Sequence, residues 1–495
     1  MTNARPEPVD RSTSPDPDDT SFDLAGVELE RLGRRVLDLI GAALAAEREA
    51  PVLRRVAGAA LRERLDERLP RAPSSVDAVL DALRDDILPF ARRNGHPRMF
   101  GYVVTSADPL GVFADAIASA LNQPVTAWRS APSATEVERL VVRWMHELTG
   151  FGGRGGLLVS GGSAANLHGL ACAVARAERR AGLPAGSRHR LTICLSTEAH
   201  VSMRKAARLL GLPPAHVRVI AVDQRRRMRT DRLRDVLVAD RAAGLVPAAV
   251  CASAGTANSG AIDPLDEIGD VCAEHRVWYH IDGSYGAPAV LVPAYAWMAA
   301  AFARADSVSL DPHKWMFAPA DAGCILVRDD ADEVRAFAEF SEYTAVQQTD
   351  DVERYAAFDH GIEMSRRFRA LKVWMILKVR GADAVRDAIA RDIALRERLD
   401  ARIAAEPRLE PLGSELSISC FRYRRQGADD ATTDALNRRI VERIIAGGHA
   451  YISPTTLDGR FALRVCIVNF RTTERDVDAL IDEVLQLGDA MSPGE

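Results

Sequence analysis

Cysteine is scarce in this chain, at 7 of 495 residues, odd in number and without CxxC spacing. That excludes a disulfide-stapled scaffold or a cysteine-based zinc framework. Cys172, Cys194, Cys251, Cys272, Cys324, Cys420 and Cys466 fall mostly inside apolar runs such as LTICL and GCILV, the setting of buried reduced thiols. Neither sign of charge dominates. With 64 basic against 69 acidic residues and a formal net charge of −5, there is no general footprint for nucleic acid or an anionic membrane surface. No apolar run approaches the ~20 residues that span a bilayer. The opening MTNARPEPVDRSTSPDPDD lacks the hydrophobic centre of a signal peptide. These absences lead us to expect a cytoplasmic protein, with neither nucleic acid nor membrane as partner.

What the chain does have is core-forming material, 47% hydrophobic against 27% charged residues, over a length that suits two or three domains. Residues 1–22, rich in Pro, Asp, Ser and Thr, are expected to be disordered. From 23 to 107 a helical segment is expected, with LERLGRRVLDLIGAAL repeating its apolar residues every three or four positions. In SATEVERLVVRWMHEL, Ser133 and Glu136 have capping-box spacing. Val137, Leu140, Val141, Trp144, Met145 and Leu148 form one apolar face of that helix. Beyond Gly152, apolar runs alternate with helical stretches: GGLLVS, LTICLS, PAAVCASAG, VWYHIDG, SVSLD and GCILVR. This alternation predicts a mostly parallel sheet covered by helices in a large domain over 108–394. A smaller α+β domain follows over 395–495.

Ligands of such sheets collect beyond the carboxyl ends of the strands, and four polar groups occupy such ends. Ser160-Gly161-Gly162-Ser163 opens a helix, where small residues and free N–H groups suit a phosphate, or simply make a tight turn. His200 follows LTICLS and opens another helix, able to stack on an aromatic ligand or to cap the helix. Asp282 ends VWYHID and needs a cation or donor if buried. It could equally cap a turn, and no His/Cys/Asp cluster marks it as a metal ligand. Lys314, beside His313 in SVSLDPHKWMFAP, becomes a Schiff-base nucleophile if partly desolvated, or snorkels to water.

A phosphate cradle, an acid, a stacking imidazole and a reactive lysine are together the parts that hold pyridoxal 5′-phosphate (PLP). Their order resembles the group II PLP-dependent amino-acid decarboxylases, the family of aromatic-L-amino-acid, tyrosine, histidine and glutamate decarboxylases. SLDPHKW resembles the cofactor-lysine motif, HIDGSYG the acidic motif and SGGSAANL the phosphate loop. GTANSGAIDPLDEI and AWRSAPSATEVE are also similar to family segments. The resemblance runs from about Gly95 to Leu377 and more faintly to the C-terminus. It implies a fold type I enzyme, with a mainly parallel seven-stranded sheet, that converts an L-amino acid to its amine and carbon dioxide.

By the same resemblance, Lys314 carries PLP as a Schiff base, Asp282 pairs with the pyridine nitrogen and His200 stacks on the ring. Gly161, Gly162 and Ser163 hold the phosphate, and Thr256, Ser284 and His313 complete the cofactor set. Tyr102 and Thr105 lie by the substrate. Tyr355, upstream of the RRFR segment, is the expected acid that returns a proton, with His313 as alternative and Tyr343 third. Ser284 and Ala257 stand where the family usually has alanine and threonine. Asn94, Val103 and Val104 replace bulky rings, which points to a smaller or more polar side chain on the substrate. The resemblance also implies a homodimer clasped by the N-terminal helices. The alternatives on the same scaffold are an aldehyde synthase, which couples decarboxylation to oxidative deamination, and a carbon–carbon lyase. A transaminase or a non-catalytic PLP-binding scaffold fits the motifs less well.

Overall fold

The computed structural model describes residues 24, 26–339, 350 and 352–491. The expected N-terminal tail and Tyr343 lie outside the described residues. The chain forms two compact units, one ending at Ala91 and the other made of Glu47–Arg55 with the chain from Arg92 onward. The first contains the helices Gly26–Ala45, Gly58–Leu65 and Val76–Ala82. Arg31 and Arg35 on its long helix pair with Asp77, and Arg35 also reaches Asp81 at 2.9 Å. That long helix buries none of its residues. The small C-terminal sheet belongs to the same unit as the large one.

The second unit is built on seven strands: β1 (Gly155–Val159), β2 (Leu191–Ser196), β3 (Val217–Ile220), β4 (Val246–Ser253), β5 (Trp278–Asp282), β6 (Ser307–Leu310) and β7 (Gly323–Val327). Their order is β1-β7-β6-β5-β4-β2-β3, and only β7 runs antiparallel to its neighbours. Successive side chains of a strand point to opposite faces. Leu158, Cys194, Tyr279 and Leu326 thus enter one apolar layer, while Leu157, Ile193, Trp278 and Ile325 enter the other. Helices cover both faces, which is why these strands are almost continuously apolar. All seven cysteines are buried and unpaired, as their apolar surroundings predicted.

The helix Pro132–Thr149 corrects a local expectation. Pro132 starts it, Ala131 precedes it without a side-chain cap, and Glu136 turns to Arg139 at 3.2 Å instead of closing a box with Ser133. Its buried face includes Thr135 and Glu138 beside Val141, Val142 and Met145. Glu138 is there because Arg366 is. The buried guanidinium grips the Glu138 carboxylate and donates to the carbonyls of Leu158 (2.7 Å) and Val125 (3.2 Å). Glu138 in turn accepts the Leu158 N–H at 3.0 Å. Breaking a buried pair strands a charge, at about 3–5 kcal/mol. Arg366→Met should accordingly lower the unfolding free energy by that order, read from a denaturant titration, whereas Arg367→Met, on an exposed side chain, should change it little.

The smaller sheet comprises β8 (Leu409–Glu415), β9 (Ile418–Tyr423), β10 (Ser453–Leu457) and β11 (Arg460–Cys466), all antiparallel in the order β10-β11-β9-β8. Phe421, Leu463, Val465, Ile440, Ile444, Leu480 and Val484 fill the core between its strands and the helices Asp430–Gly447 and Glu474–Ala490.

Candidate active site

The ends of β1, β2, β5 and β6 open on one cavity of about 1030 Å³, closed on its far side by Tyr451, Ser453, Pro454, Thr455 and Arg464 of the small-sheet region. From the β1 end, the helix Gly162–Arg180 presents its N-terminus. A Cβ on Gly162 would lie 2.3 Å from Ser284 Oγ and 2.9 Å from Asp311 Oδ2, so only glycine fits there. From the β2 end comes His200, exposed and capping the helix Val201–Leu209. Its Nδ1 accepts the Ser202 N–H at 3.3 Å and lies 2.8 Å from Ser202 Oγ. With Nδ1 an acceptor, the neutral ring carries its proton on Nε2.

Asp282, the last residue of β5, is the best-satisfied group of the cavity. Asn166 donates to its Oδ2 at 2.9 Å, and the Ser284 N–H (3.1 Å) and Ser309 hydroxyl (3.2 Å) donate to Oδ1. Burial alone would push this carboxyl up. The bonds from Ser284 and the nearby Lys314 charge more than offset it and hold the group below the usual carboxylate range. Asn166 faces the other way as well. Its Nδ2 also donates to Ser202 Oγ at 3.1 Å, and its Oδ1 lies 3.0 Å from His280 Nε2. His280 Nδ1 meets Ser307 Oγ at 2.8 Å, which also accepts the Trp278 indole N–H at 2.8 Å. Burial pushes His280 down to about 4, so it stays neutral inside this chain of bonds.

The β6 end supplies Asp311, His313 and Lys314. Lys314 Nζ is 2.8 Å from Asp311 Oδ2, and His313 Nε2 is 3.8 Å from the same oxygen. His313 Nδ1 accepts the Ala322 N–H at 3.0 Å and burial lowers the ring's pKa, so the neutral imidazole keeps its proton on Nε2. Beneath Lys314, Trp315 stacks on Tyr285 with centroids 5.1 Å apart and donates its indole N–H to Asp392 at 2.9 Å. Asp392 is buried, and burial pushes its carboxyl up to about 8.

Between the ordinary value near 3.8 and that raised value, the folded chain binds a proton that the unfolded chain has released. The stabilisation is complete below about 4 and is lost as pH rises towards about 8. Asp392→Asn should flatten this decline, a difference that thermal midpoints measured at pH 5 and pH 8 would reveal.

Of the residues singled out in the sequence, Gly161, Gly162, Ser163, His200, Asp282, Ser284, His313, Lys314 and Tyr102 all line this cavity, as do Val103 and Ala257. Thr105, Thr256 and Tyr355 are not among its lining residues, and neither are Asn94 and Val104. The Thr105 hydroxyl turns to the Ser106 carbonyl at 3.4 Å, and that of Thr256 meets Ser259 Oγ at 3.2 Å. Tyr355 stacks on His360 with centroids 5.0 Å apart, under the Arg139 guanidinium.

Sequence reasoning missed Arg464, Glu198, Asn258 and Tyr451. Arg464 is buried and donates to neutral acceptors, among them the Asn258 carbonyl (3.0 Å), Ser453 Oγ (3.0 Å) and the Tyr102 carbonyl (3.3 Å). Asn258 donates to Glu198 at 3.0 Å and accepts from Thr455. Tyr102 and Tyr451 join hydroxyls at 3.1 Å, with Arg92 over both rings.

A glycine-floored helix N-terminus, an anionic buried carboxylate and a lysine at one cavity suit the phosphate, ring nitrogen and aldehyde of PLP. The Pyridoxal-dependent decarboxylase conserved domain matches residues 59–424. The chain belongs to that family. It is a PLP-dependent decarboxylase of L-amino acids, which it converts to amine and carbon dioxide. The decarboxylase is similar to the aromatic-L-amino-acid decarboxylase of Bacillus atrophaeus, with 34% identity over 95% of this chain and 98% of the relative. It is 28% identical to the 4-hydroxyphenylacetaldehyde synthase of Rhodiola rosea, over 94% of this chain and 96% of that one. Among solved structures it superposes on Oryza sativa TDC, crystallised with PLP and tryptamine, with a TM-score of 0.90. That match has 28% identity and covers 95% of this chain and 99% of the other. The mainly parallel seven-stranded sheet and the small C-terminal sheet expected from the sequence are both present. Among the described residues no helix is long and apolar enough to cross a membrane, and no His/Cys/Asp/Glu group is arranged to hold a metal.

Proposed function

We propose that the decarboxylase acts on an aromatic L-amino acid whose ring carries a hydrogen-bond donor. The observation that carries this reading is the cavity lining, which the Tyr102 and Tyr451 rings share with Glu198 and Asn258. Rings offer flat apolar contact, and a carboxylate oxygen accepts from a phenol or an indole N–H. Similarity to an aromatic-L-amino-acid decarboxylase supports the same reading. Val103 lines the cavity where a bulkier ring was expected, and Glu198 and Asn258 make part of its wall polar.

When bound, PLP supplies an electron-accepting ring that stabilises the negative charge left as carbon dioxide departs. The protein's own groups do the rest. Lys314 is the covalent anchor. Asp282, kept anionic by three donors, holds a proton on the ring nitrogen. His200 would hold the ring from one side, and the Gly162–Ser163 N–H groups would hold the phosphate, all three residues lining the cavity. Arg464, a buried cation with no carboxylate partner among the described residues, takes the substrate's carboxylate and orients it. His313 returns the proton from Nε2, a role favoured over Tyr355 because His313 lines the cavity.

The test is an assay of carbon dioxide, amine, ammonia and peroxide across a panel of L-amino acids. Equal amounts of amine and carbon dioxide, fastest with ring-hydroxylated or indole substrates, are expected. Aldehyde with ammonia and peroxide would instead establish the aldehyde-synthase reading, which the absence of Tyr355 from the cavity lining favours.

We further propose a cytoplasmic homodimer. Val27, Leu29 and Leu37 on the first long helix are exposed, an apolar set suited to a second copy of the chain. The seven buried free thiols suit a reducing compartment. Sedimentation of the full chain should give twice the 53.8 kDa chain mass; an active monomer would refute the dimer.

A further inference from the structure

Asn258 is where three elements of the cavity wall meet. Its Nδ2 donates to Oε2 of Glu198, just beyond β2, at 3.0 Å. Its Oδ1 accepts the Thr455 hydroxyl of β10, and its main-chain carbonyl accepts Arg464 Nε of β11 at 3.0 Å. An ionised carboxylate can only accept, so the amide has one orientation: nitrogen towards Glu198, oxygen towards Thr455. The chain around Asn258 is itself held in place. Its loop, 256–261, is closed by the Thr256 N–H on the Ala261 carbonyl and the Gly260 N–H on the Thr256 carbonyl, both at 2.9 Å. Gly260 has φ +79°, and a Cβ on it would strike the Glu415 carbonyl oxygen at 2.4 Å. Glu198 and Arg464 are thus fixed relative to one another through a single residue.

We propose that Asn258 is a positioning residue that sets the distance between the substrate's two recognition points, its carboxylate at Arg464 and its ring donor at Glu198. The inference deepens the aromatic-substrate reading and rests on it. With Oε2 engaged by Asn258, the ring donor meets Glu198 Oε1. A substrate whose donor stands at another distance from its carboxylate reaches one point and misses the other, which leaves a polar group of the site unpaired. The chemistry of the contact makes each substitution specific. In Glu198→Gln, the Asn258 amide claims the side-chain oxygen at 198, so the N–H₂ group there faces the ring donor and two donors oppose each other. In Asn258→Ala, the main-chain carbonyl that receives Arg464 remains, while the hold on Glu198 and the Thr455 contact are lost.

The test uses the holoenzyme as wild type, Glu198→Gln, Asn258→Ala, Asn258→Ser and the Glu198→Gln/Asn258→Ala double variant. Carbon dioxide release gives kcat/KM for two pairs of substrates that differ in one ring donor: L-tyrosine with L-phenylalanine, and L-tryptophan with 1-methyl-L-tryptophan. Cofactor absorbance and circular dichroism check loading and fold. In the wild type the donor-bearing member of a pair should lead. Glu198→Gln and Asn258→Ala should each lower that preference by about tenfold, and the double variant should lie no lower than Glu198→Gln alone. Asn258→Ser, which keeps a hydroxyl donor, should retain more of the preference than Asn258→Ala. L-meta-tyrosine, its hydroxyl displaced on the ring, should approach L-tyrosine in Asn258→Ala, where Glu198 is free to follow the donor. If Asn258→Ala misfolds, Asn258→Leu, of similar shape and without a donor, takes its place. An unchanged preference in Asn258→Ala beside a lowered one in Glu198→Gln would overturn the proposal and leave the substrate reading standing. An equal fall for both members of each pair would also overturn it, by marking a merely structural role. An unchanged preference in Glu198→Gln, or turnover of neither pair, would refute the substrate reading itself.

Discussion

Lys314→Ala protein is expected to be colourless and to lose roughly four or more orders of magnitude in turnover, the scale seen when a nucleophile central to the reaction is deleted. The wild type should be yellow, and borohydride should fix the cofactor on the peptide containing Lys314. The size of the effect follows from where the residue sits. Lys314 leaves β6 at the cavity floor, and its ammonium is held 2.8 Å from Asp311 on a segment pinned by Trp315 to Asp392 and Tyr285. A nearby lysine cannot stand in, because Lys314 is the only lysine lining the cavity among the described residues. Absorbance of the purified protein and single-turnover rates check the expectation. Unaltered colour and covalent cofactor in the variant would refute the anchor.

Asp282→Asn is expected to cost about 10²–10³ in turnover, the magnitude attached to removing one preorganised electrostatic partner of the reacting group. The amide retains an acceptor but no charge. It would leave the ring nitrogen without an anion, and would set one N–H₂ group among Asn166, Ser284 and Ser309, all of which donate there. The cofactor's absorption maximum should move together with the loss of turnover. Asn166→Asp, one bond further out, should shift the same band while costing less turnover. A variant at Asp282 that retained full turnover and an unshifted spectrum would remove it from the mechanism.

The fold was legible wherever burial on two faces forced uninterrupted apolar runs. LTICLS and VWYHID could hardly be anything but interior strands, and the polar residues at or just beyond their ends, Asp282 and His200, line the cavity. Gly162, Lys314 and Asp282 were found on that logic. Residues whose role depends on which way a hydroxyl turns were not. Thr105 and Thr256 sit in the right segments, but local bonds to Ser106 and Ser259 claim their side chains. Arg464 and His280 had left a signal that went unused: a charged or polar residue at an interior position of an apolar strand, in FALRVCIV and VWYHID. Asn166 gave none, since only the tertiary meeting of a helix with β5 shows that its amide serves Asp282 on one side and His280 on the other.

The reversed strand β7 bears on how this enzyme could be changed. It enters between β1 and β6, so its first residues back both the Gly161–Ser163 turn and the Asp311–Lys314 loop. A side chain at Gly323 would strike the Gly161 backbone at 2.4 Å, and Ala322 exchanges hydrogen bonds with His313 through its N–H and its carbonyl. Substitutions on that edge disturb the cofactor before they reach the substrate. The opposite wall, carried by Tyr102, Glu198, Asn258, Tyr451 and Thr455, has no such double duty. Directed evolution towards new amines should therefore find its productive variants there, and libraries that spare 322–323 should yield a higher fraction of coloured, cofactor-bearing clones.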